Sequence, residues 1–586
     1  MMRSVFLSER WMGRALGLVL GAAALTVTAQ PLAFTDATES AGLAGFDGYG
    51  VAVTDYDGDG WDDVFVTTVY GASRLLRNNG DGTFTDTAAE AGVAVSGRHL
   101  VALWGDLDND GLPDLFLGRK TDGENKLFRN RGDGTFEDVT AEAGIDAEAN
   151  VGAAAFGDYD GDGRIDLFLA VDRAPDLLYH NLSEDAAIRF EDLSGRAGIA
   201  GPPTAVAMQA TWIDFNHDGR LDLFGVHDGS TESRLYRNDG YLPLLEVAHD
   251  AGIADVGAGN SMGVAWGDFD GDGWEDAYVT RIGQAGLYRN NGDGTFTDVA
   301  VERGAHRNGM SWGVVFADFD NDADEDLFVV NTSGYDGTKS FLYQNDGGLF
   351  TDVAAGAGAA LSMEAHGLAT GDFDRDGRPD LVVGATSGVK LLMNTTPTGR
   401  HWAAIRLEGR EANRMALGVR VEVVAGGRTL VRTVSGGDSF CSQSSPVLHF
   451  GLGDAERIDT LRIHWRAGVT EEHFDLAADA DLTFTEAAVA TAVEDAALPD
   501  DFALAQNYPN PFNPRTTIPF ALPRAAHVTL TVFDLLGRPV ATLVDGRRAA
   551  GTHRVAFDAA GLPGGVYLYR LRAGTFTQTR ALTLLK

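Results

Sequence analysis

The chain has 586 residues and a formal net charge of −39 at pH 7, from 85 acidic and 46 basic side chains. This balance argues against a nucleic-acid ligand, because phosphate backbones are bound through lysine and arginine. The length exceeds what one hydrophobic core supports and predicts two to four domains. A single cysteine, Cys441, excludes an internal disulfide, so the stability of the chain cannot come from disulfide cross-links.

The first 30 residues have the pattern of an export signal. Arg3, Arg10 and Arg14 precede the apolar run 15–25, and the small residues "VTA" end at Ala29. A single membrane anchor is the alternative, but the run is shorter than the roughly 20 apolar residues that a spanning helix needs. We therefore predict a signal peptide over residues 1–29 and no transmembrane segment after its cleavage.

A nine-residue acidic motif recurs along the chain. Its first copy, "DYDGDGWDD" at residues 55–63, has aspartate at positions one, three, five and nine and glycine at position six. An EF-hand is excluded, because the twelfth position of that loop needs a bidentate glutamate and is Val66 here. A period of 50 to 56 residues is typical of solenoids and propellers. The six further copies begin at Asp106, Asp158, Asp214, Asp268, Asp318 and Asp372.

Each of the seven repeats in residues 31–395 has the pattern of four short strands. In the fifth, "GVAWGD" leads into the acidic motif, "DAYV" leaves it, "GLYRN" follows, and "GTFTDV" comes after the tight turn "NGDG". No repeat has room for a crossover helix, so the pattern favours a propeller blade over a βαβ unit. The seventh repeat lacks a fourth strand, and we predict that the N-terminal segment 33–43 supplies it and closes the ring.

These motifs resemble FG-GAP/VCBS repeats, the calcium-binding propeller blades also found in integrin alpha heads. The resemblance implies that calcium is bound by the side chains at positions one, three, five and nine and by the carbonyl at position seven, with up to seven ions. In chain order, the implied ligands are Asp55, Asp57, Asp59, Trp61, Asp63; Asp106, Asp108, Asp110, Leu112, Asp114; Asp158, Asp160, Asp162, Arg164, Asp166; Asp214, Asn216, Asp218, Arg220, Asp222; Asp268, Asp270, Asp272, Trp274, Asp276; Asp318, Asp320, Asp322, Asp324, Asp326; and Asp372, Asp374, Asp376, Arg378, Asp380.

Two loops depart from the pattern and leave their calcium occupancy open. Asn216 replaces an acid in loop four, and Ala323 replaces the turn glycine in loop six, where Asp324 and Glu325 are expected to be exposed. Aspartate and glycine also form ordinary turns. That alternative does not explain 27 acidic side chains at fixed spacing, whose mutual repulsion would oppose folding without a cation. The repeated "NNGDGTF" turns are assigned no metal, because Asn-Gly and Asp-Gly are common hairpin residues.

Residues 396–486 predict a second, β-rich domain. The segment "LRIHWR" alternates, with Leu461, Ile463 and Trp465 on one face. The stretch beginning "ANRMALGVRVEVVAGG" is similar to the ASPIC/UnbV domain that follows such propellers in the cartilage acidic protein family, a resemblance that does not specify its biochemical role. A hydrolase hypothesis rests on Ser442, Ser444, Ser445 and His449, but no "GxSxG" elbow accompanies them, which favours hydroxyl-capped turns.

Residues 487–501 predict a linker, and residues 502–586 a small immunoglobulin-like sandwich of about seven strands. The ordered motif "NYPNPFNP", the later "VTLTVFDLLGRPVATLVDG" and the terminal "LLK" resemble a type IX secretion sorting domain of type A. The resemblance implies export across the outer membrane, the type IX machinery as partner, and release or attachment at the cell surface. A generic adhesive sandwich is the alternative.

The sequence therefore predicts an all-β chain: a seven-bladed β-propeller, a β-rich domain and a small immunoglobulin-like β-sandwich. We expect a secreted or cell-surface binding and adhesion module with structural calcium. Its glycan or protein ligand is expected at the end opposite the acidic loops, where segments 118–126, 171–176, 226–233 and 331–340 vary. The alternative is a secreted carbohydrate-active enzyme similar to polysaccharide lyase propellers. His99 and His366 are its best catalytic candidates, although packing roles are favoured for both.

Overall fold

The computed structural model describes residues 31–121, 124–146, 148–184, 187–201, 204–229, 231–254, 260–397, 399–466, 468–487, 502–507, 510–512, 514–524, 526–548, 551–559, 561–574 and 576–585. The predicted signal peptide lies outside these residues, as does nearly all of the predicted linker. The described chain forms two compact bodies that divide between Glu486 and Ala487. It is all-β apart from seven single-turn helices among the described residues.

The first body begins with strand β1 (Phe34–Asp36), followed by seven repeats. Repeat one comprises β2 (Val51–Thr54), β3 (Asp63–Val66), β4 (Arg74–Asn78), β5 (Phe84–Asp86) and α1 (Ala88–Ala91). Repeat two comprises β6 (His99–Gly105), β7 (Asp114–Arg119), β8 (Lys126–Asn130), β9 (Phe136–Asp138) and α2 (Thr140–Ala143). Repeat three comprises β10 (Val151–Gly157), β11 (Asp166–Val171), β12 (Leu177–Asn181), β13 (Phe190–Asp192) and α3 (Ser194–Ala197).

The next four repeats follow the same order. Repeat four comprises β14 (Val206–Ile213), β15 (Asp222–Asp228), β16 (Arg234–Arg237), β17 (Leu245–Glu246) and α4 (Ala248–Ala251). Repeat five comprises β18 (Ser261–Gly267), β19 (Asp276–Gln284), β20 (Gly286–Asn290), β21 (Phe296–Asp298) and α5 (Ala300–Arg303). Repeat six comprises β22 (Asn308–Ala317), β23 (Asp326–Asn331), α6 (Ser333–Asp336), β24 (Phe341–Asn345), β25 (Phe350–Asp352) and α7 (Ala354–Ala357). Repeat seven comprises β26 (Ala365–Gly371), β27 (Asp380–Ala385) and β28 (Lys390–Asn394).

The repeats form a closed circuit. Within each repeat the strands pair antiparallel in sequence order, and β1 is the fourth strand of repeat seven, with Phe34 opposite Asn394. The first strands of successive repeats are in contact, and β2 of repeat one contacts β26 of repeat seven. Hydrophobic cores lie between neighbouring repeats; for example, the rings of Phe65 and Trp104 meet edge-on with their centroids 6.1 Å apart. The N-terminal strand therefore joins the two ends of the array.

The rest of the first body, residues 396–486, is called the cover because it packs on the acidic-loop end of the repeats. It contains β29 (His401–Glu408), β30 (Arg420–Ala425), β31 (Arg428–Thr433), β32 (Leu448–Gly453), β33 (Arg457–Arg466), β34 (Val469–Ala477) and β35 (Ala480–Thr485). The two sheets have the orders β32-β29-β35 and β31-β30-β33-β34. Leu461, Ile463 and Trp465 are all buried, so the predicted alternation of β33 is observed.

A segment of the cover, residues 436–445, enters the space enclosed by the first strands and is called the plug. Each first strand except β22, which also pairs with β19, has one edge without a strand partner. Buried unpaired N–H groups at such an edge cost free energy. Ser442 Oγ accepts a hydrogen bond from the Val51 N–H at 3.2 Å. The Gln443 side chain binds both the N–H and the carbonyl of Trp104, at 2.7 and 3.2 Å. The plug thus satisfies backbone groups that the repeats leave unpaired.

The second body comprises β36 (Ala503–Leu504), β37 (Arg515–Leu522), β38 (Ala526–Phe533), β39 (Pro539–Arg548), β40 (Gly551–Asp558), β41 (Gly565–Ala573) and β42 (Phe576–Leu584). Its two sheets have the orders β36-β37-β40 and β39-β38-β41-β42. Ile518 and Phe520 of one sheet and Leu530 and Tyr569 of the other belong to a single hydrophobic core.

Candidate metal centres in the acidic loops

The acidic loops join the first and second strands of all seven repeats. Because these strands pair antiparallel in every repeat, the loops occupy equivalent ends of the seven repeats, of which repeats five and six share one eight-stranded sheet. Position nine is in each case the first residue of the second strand: Asp63, Asp114, Asp166, Asp222, Asp276, Asp326 and Asp380.

The carboxylate at position one organises the turn. In loop two, Asp106 accepts hydrogen bonds from the backbone N–H groups of Asp110 and Gly111, at 3.0 and 2.8 Å. The bond from the position-six N–H to position one is 2.7 to 3.0 Å long in all seven loops. Positions four and six both have positive φ in every loop, which folds the chain around the carboxylates.

Positions five and seven are joined by the same hydrogen bond in all seven loops. The N–H of position seven donates to the position-five carboxylate at 3.0 to 3.1 Å in every loop. The position-seven residues are Trp61, Leu112, Arg164, Arg220, Trp274, Asp324 and Arg378. Calcium binding by their carbonyl groups remains a prediction.

The carboxylate at position nine is buried in every loop, with at most 1% of each residue exposed. In loop two, Asp114 accepts from the N–H of Leu107 at 2.9 Å and from the N–H of Asn130 at 2.8 Å. Position nine is therefore held in place by the start of its own loop and by the end of the third strand.

An asparagine at or just after the end of each third strand connects neighbouring repeats, a role that sequence reasoning missed. Asn130 Nδ2 donates to the carbonyl of Pro113 in its own loop and to that of Tyr56 in the preceding loop, at 3.1 and 2.9 Å. Its recurrence in every repeat was the available signal. The seven residues are Asn78, Asn130, Asn181, Asn238, Asn290, Asn345 and Asn394, each of which binds the position-two carbonyl of the preceding loop around the circuit.

The loops bring carboxylate oxygens from several positions to one point. Oxygens of positions one, three and nine lie within 4.8 Å of one another in loops one, two and five. In loop three, positions one, three and five form such a group, and so do positions three and nine with His180. The structure thus brings together three of the four implied carboxylates in loops one, two and five, and it divides those of loop three between two groups. Calcium binding at these points stays a prediction.

The protein itself leaves much of this negative charge uncompensated. Burial, together with the neighbouring carboxylates of Asp57 and Asp55, raises the pKa of Asp63 to about 9. The same causes raise the pKa of Asp106 to about 7, of Asp158 to about 6 and of Asp268 to about 8. Converging hard oxygen donors with uncompensated charge fit a calcium ion, which takes six to eight oxygen ligands.

Loops two and three each carry a basic side chain from their own third strand. Arg129 lies 2.7 Å from Asp108 and 3.1 Å from Asp110. His180 lies 3.2 Å from Asp166, and this hydrogen bond raises the pKa of His180 to about 9. A protonated imidazole is a donor and not a metal ligand. His180 therefore acts as a counter-charge in this arrangement, and the carboxylates remain the candidate ligands.

In loop four, an amide stands at position three. Asn216 Oδ1 accepts the N–H of Asp218 at 2.9 Å, and its Nδ2 points toward Asp222 at 3.5 Å. Burial raises the pKa of Asp222 to about 9. The loop keeps its shape with one acid fewer.

Loop six differs most, because the cover supplies cations to it. Arg400 lies 2.8 Å from Asp320 and 3.1 Å from Asp322, the acids at positions three and five. Gln344 Nε2 also donates to Asp320 at 3.0 Å. Ala323 has a φ of 69°, the left-handed conformation that disfavours a Cβ.

The expectation that Asp324 and Glu325 are exposed is wrong. Their side chains are 13% and 11% exposed. Asp324 pairs with Arg428, and Glu325 lies 2.6 Å from Arg432. Because both arginines come from the cover, distant in sequence, the local acidic pattern did not indicate this pairing.

The other candidate residues take part in packing. Burial lowers the pKa values of His99 and His366 to about 4, and His366 stacks on Tyr49 with the ring centroids 4.4 Å apart. Ser444 Oγ accepts the N–H of Thr370 at 3.1 Å. His449 Nε2 lies 3.0 Å from the carbonyl of Gly377. Ser442, Ser444 and His449 thus bind backbone groups of the repeats, and Ser445 accepts the N–H of Val447 at 3.2 Å.

Among the described residues, no helix is both long and apolar enough to cross a membrane.

Three families match the chain in order. Residues 55–117, 106–169, 214–279, 268–329 and 324–383 match the FG-GAP-like repeat. Residues 409–491 match the ASPIC and UnbV family. Residues 506–584 match the secretion system C-terminal sorting domain.

Similar proteins align over limited lengths. Human cartilage acidic protein 1 is 32% identical over 204 residues, covering 33% of this chain and 30% of that protein. Mouse integrin alpha-7 is 34% identical over 154 residues, covering 24% of this chain and 13% of that protein. These alignments span less than a third of either relative. A solved lectin of Agrocybe aegerita, which recognises non-reducing terminal N-acetylglucosamine, has 18% identity, coverage of 54% and 84% of the two chains, and a TM-score of 0.35.

Proposed function

We propose that this chain, which carries FG-GAP-like repeats, an ASPIC and UnbV domain and a secretion system sorting domain, is an exported binding and adhesion module. Its seven repeats act as a seven-bladed propeller with structural calcium in the acidic loops. Its ligand, an extracellular glycan or protein, binds at the opposite end. The immunoglobulin-like sandwich of the second body directs type IX export to the outside or the cell surface.

The observation that carries the proposal is the uniform loop geometry. Seven loops place acids at the same end of seven repeats, and the same hydrogen bonds hold positions one, five and nine in each. Carboxylates held this closely repel one another unless a cation is shared between them. Calcium bound at these points would stabilise the junctions that the asparagines connect, and a rigid ring would result.

Surface chemistry supports a ligand site at the other end. The connections between second and third strands lie there, and they carry two of the most exposed aromatic side chains, Tyr70 at 86% and Tyr335 at 66%. Exposed tyrosines supply large contact area at small entropic cost and are enriched where proteins bind partners. These connections also vary in length and composition while the acidic loops hardly vary.

Calcium stoichiometry tests the first half of the proposal. Native mass spectrometry of the mature chain should show several bound calcium ions, and Asp57→Asn should remove one. The matched control is Asp81→Asn, an exposed aspartate in the "NGDG" turn of the same repeat, which should remove none. Unchanged ion counts in Asp57→Asn would contradict the assignment of loop one.

A glycan array and a cell-binding assay, each with and without calcium, test the second half. Tyr70→Ala and Tyr335→Ala should weaken capture of the ligand while leaving the calcium count unchanged. Leu182→Ala, at another exposed apolar residue, serves as the control. Equal capture by all three variants would place the ligand elsewhere.

A further inference from the structure

A cavity of about 520 Å³ lies between the acidic-loop end of the repeats and the cover. Pockets of roughly 300–1,000 Å³ are typical of small-molecule sites. On one side the cavity is lined by the ends of first strands and by loop residues at position eight, and on the other by β29, β31, β32 and β35. It lies at the opposite end of the repeats from Tyr70 and Tyr335.

Position eight carries an acid in only three loops, where it lines this cavity. These residues are Asp62, Glu275 and Glu325. The other four loops have Pro113, Ile165, Leu221 and Pro379 at this position and keep the same loop hydrogen bonds. Since the loop does not need an acid here, and Glu325 pairs with Arg432, Asp62 and Glu275 require another explanation.

Two of these acids have oxygens that the described residues do not satisfy. Asp62 Oδ1 and Glu275 Oε2 are buried without a hydrogen-bond partner, and the residues are 8% and 3% exposed. The Nε2 of His217 lies 3.9 Å from Glu275 Oε2, too far for a hydrogen bond. Buried carboxylates in this condition lower stability unless a ligand supplies donors.

The remaining lining decides which ligand fits. Four arginines, Arg375, Arg406, Arg414 and Arg432, line the same cavity. Guanidinium groups only donate hydrogen bonds, and carboxylates only accept them. A purely cationic ligand would be repelled by the arginines, and a purely anionic ligand would be repelled by the acids. Hydroxyl groups both donate and accept, and therefore satisfy both kinds of side chain.

Apolar side chains interrupt the charged lining. They include Ile213, Ala265, Val315, Met415 and Val447. A saccharide ring has the matching composition, with hydroxyls at its rim and C–H groups on its faces. We infer that this cavity is a second binding site, which takes a neutral saccharide of two or three rings, with Glu275 and Asp62 accepting hydrogen bonds from its hydroxyls. This site does not depend on the ligand face proposed above.

Calorimetric titration of the full chain in calcium-containing buffer tests the inference. The probes are maltotriose, cellotriose and triacetylchitotriose, with spermidine and trigalacturonate as charged counter-probes. At least one neutral trisaccharide should bind with one-to-one stoichiometry. If none binds, or if only a charged probe binds, the inference is overturned.

Variants then locate the binding. Glu275→Gln should weaken trisaccharide binding at least tenfold. The melting temperature of the variant protein should stay the same or rise, because the substitution removes an unsatisfied buried charge. Val447→Trp and Thr433→Trp fill the cavity from two different segments, and each should abolish binding. Glu302→Gln, an exposed acid of the same repeat with 73% of its side chain exposed, and Tyr70→Ala, at the other end, should change nothing.

Three results with these variants would each contradict a particular part of the inference. Binding that survives both tryptophan variants, with melting intact, would remove the cavity as the site. Binding that survives Glu275→Gln but not the tryptophan variants would overturn the role of the carboxylate. Loss of binding in Tyr70→Ala alone would assign the saccharide to the opposite end.

Discussion

The side chain of Asn78 donates a hydrogen bond of 2.9 Å to the backbone carbonyl of Phe373, which lies 295 residues later in the chain. This bond connects repeat one to repeat seven, and six equivalent asparagines connect the other neighbours. The circuit is thus closed twice, by the pairing of β1 with β28 and by a ring of asparagine amides that fixes each acidic loop against the next.

Asn78→Ala should lower stability. The substitution leaves the buried carbonyls of Asp62 and Phe373 without their amide donor, a loss of about 1–3 kcal/mol. Thermal unfolding measures the effect. The control is Asn79→Ala, the next residue, which is exposed and bonds only within its turn. Equal melting temperatures for the two variants would contradict a closing role for Asn78.

Without calcium, the protein should become less stable as pH rises from 5 to 9. The folded-state pKa of Asp158 is raised to about 6 and that of Asp63 to about 9, above the value of about 3.9 in an unfolded chain. Their protonated forms therefore stabilise the fold fully below about pH 4, and this contribution is lost as pH rises through the folded pKa values.

Melting curves in chelator and in calcium, recorded at each pH, measure this dependence. Calcium should restore most stability at pH 8 and little at pH 5. A chelated protein whose melting temperature is independent of pH would argue against charge accumulation in the loops.

Loop six should bind calcium more weakly than its neighbours, for two reasons. A Cβ at the positive φ of Ala323 costs about 1 kcal/mol or slightly more, and a cost of about 1.4 kcal/mol corresponds to roughly tenfold in affinity. Arg400 also holds the acids at positions three and five. Ala323→Gly should tighten the site, and Arg400→Gln should add to that effect.

Ion counting by native mass spectrometry at limiting calcium distinguishes these contributions. Arg428→Gln is the matched control, because Arg428 pairs with Asp324, whose side chain is not among the implied carboxylate ligands. An additional ion in Arg428→Gln but not in Arg400→Gln would show that Arg400 does not compete for the site.

Gln443→Ala should destabilise the first body, although the residue lies outside the repeats. Its side chain bonds both backbone groups of Trp104, so the substitution leaves a buried N–H and a buried carbonyl unpaired, at about 1–3 kcal/mol. Melting of the full chain measures the loss, and Gln578→Ala in the second body should leave the transition of the first body unchanged. An unaltered transition in Gln443→Ala would show that the plug is dispensable.

Removal of residues 502–586 should stop export at the periplasm in a host with type IX machinery. The matched sorting domain covers residues 506–584, whereas the fold of the first body ends at Glu486. Cell fractionation and protease accessibility locate the truncated protein. Its arrival at the surface would contradict the sorting role.

The features that sequence reasoning found are local ones. The resemblance of the acidic motif to calcium-binding repeats implied that the carboxylates of Asp106, Asp108 and Asp114 meet, and the structure brings them together within one nine-residue turn. The alternation of Leu461, Ile463 and Trp465 indicated the buried face of β33. In both cases the information lies within about ten residues of the chain.

The features that were missed are contacts between distant segments. Arg400 gave no local sign that it would reach Asp320, and Gln443 gave none that it would reach Trp104. These contacts depend on how the cover sits on the repeats, which hydrophobic periodicity does not encode. The asparagine ring is intermediate, because the recurrence of the asparagine was visible in the sequence while its partner in the preceding repeat was not.

The plug also determines how the only thiol of the chain behaves. Cys441 lies in the plug, 4% exposed, and burial raises its pKa to about 12. A thiol in this state reacts slowly with alkylating reagents, because the thiolate is the nucleophile and the reagent cannot reach it. The rate at which Cys441 is alkylated therefore measures how often the plug leaves the ring, without any engineered label. The same measurement during secretion would show whether the ring crosses the membrane with its centre filled.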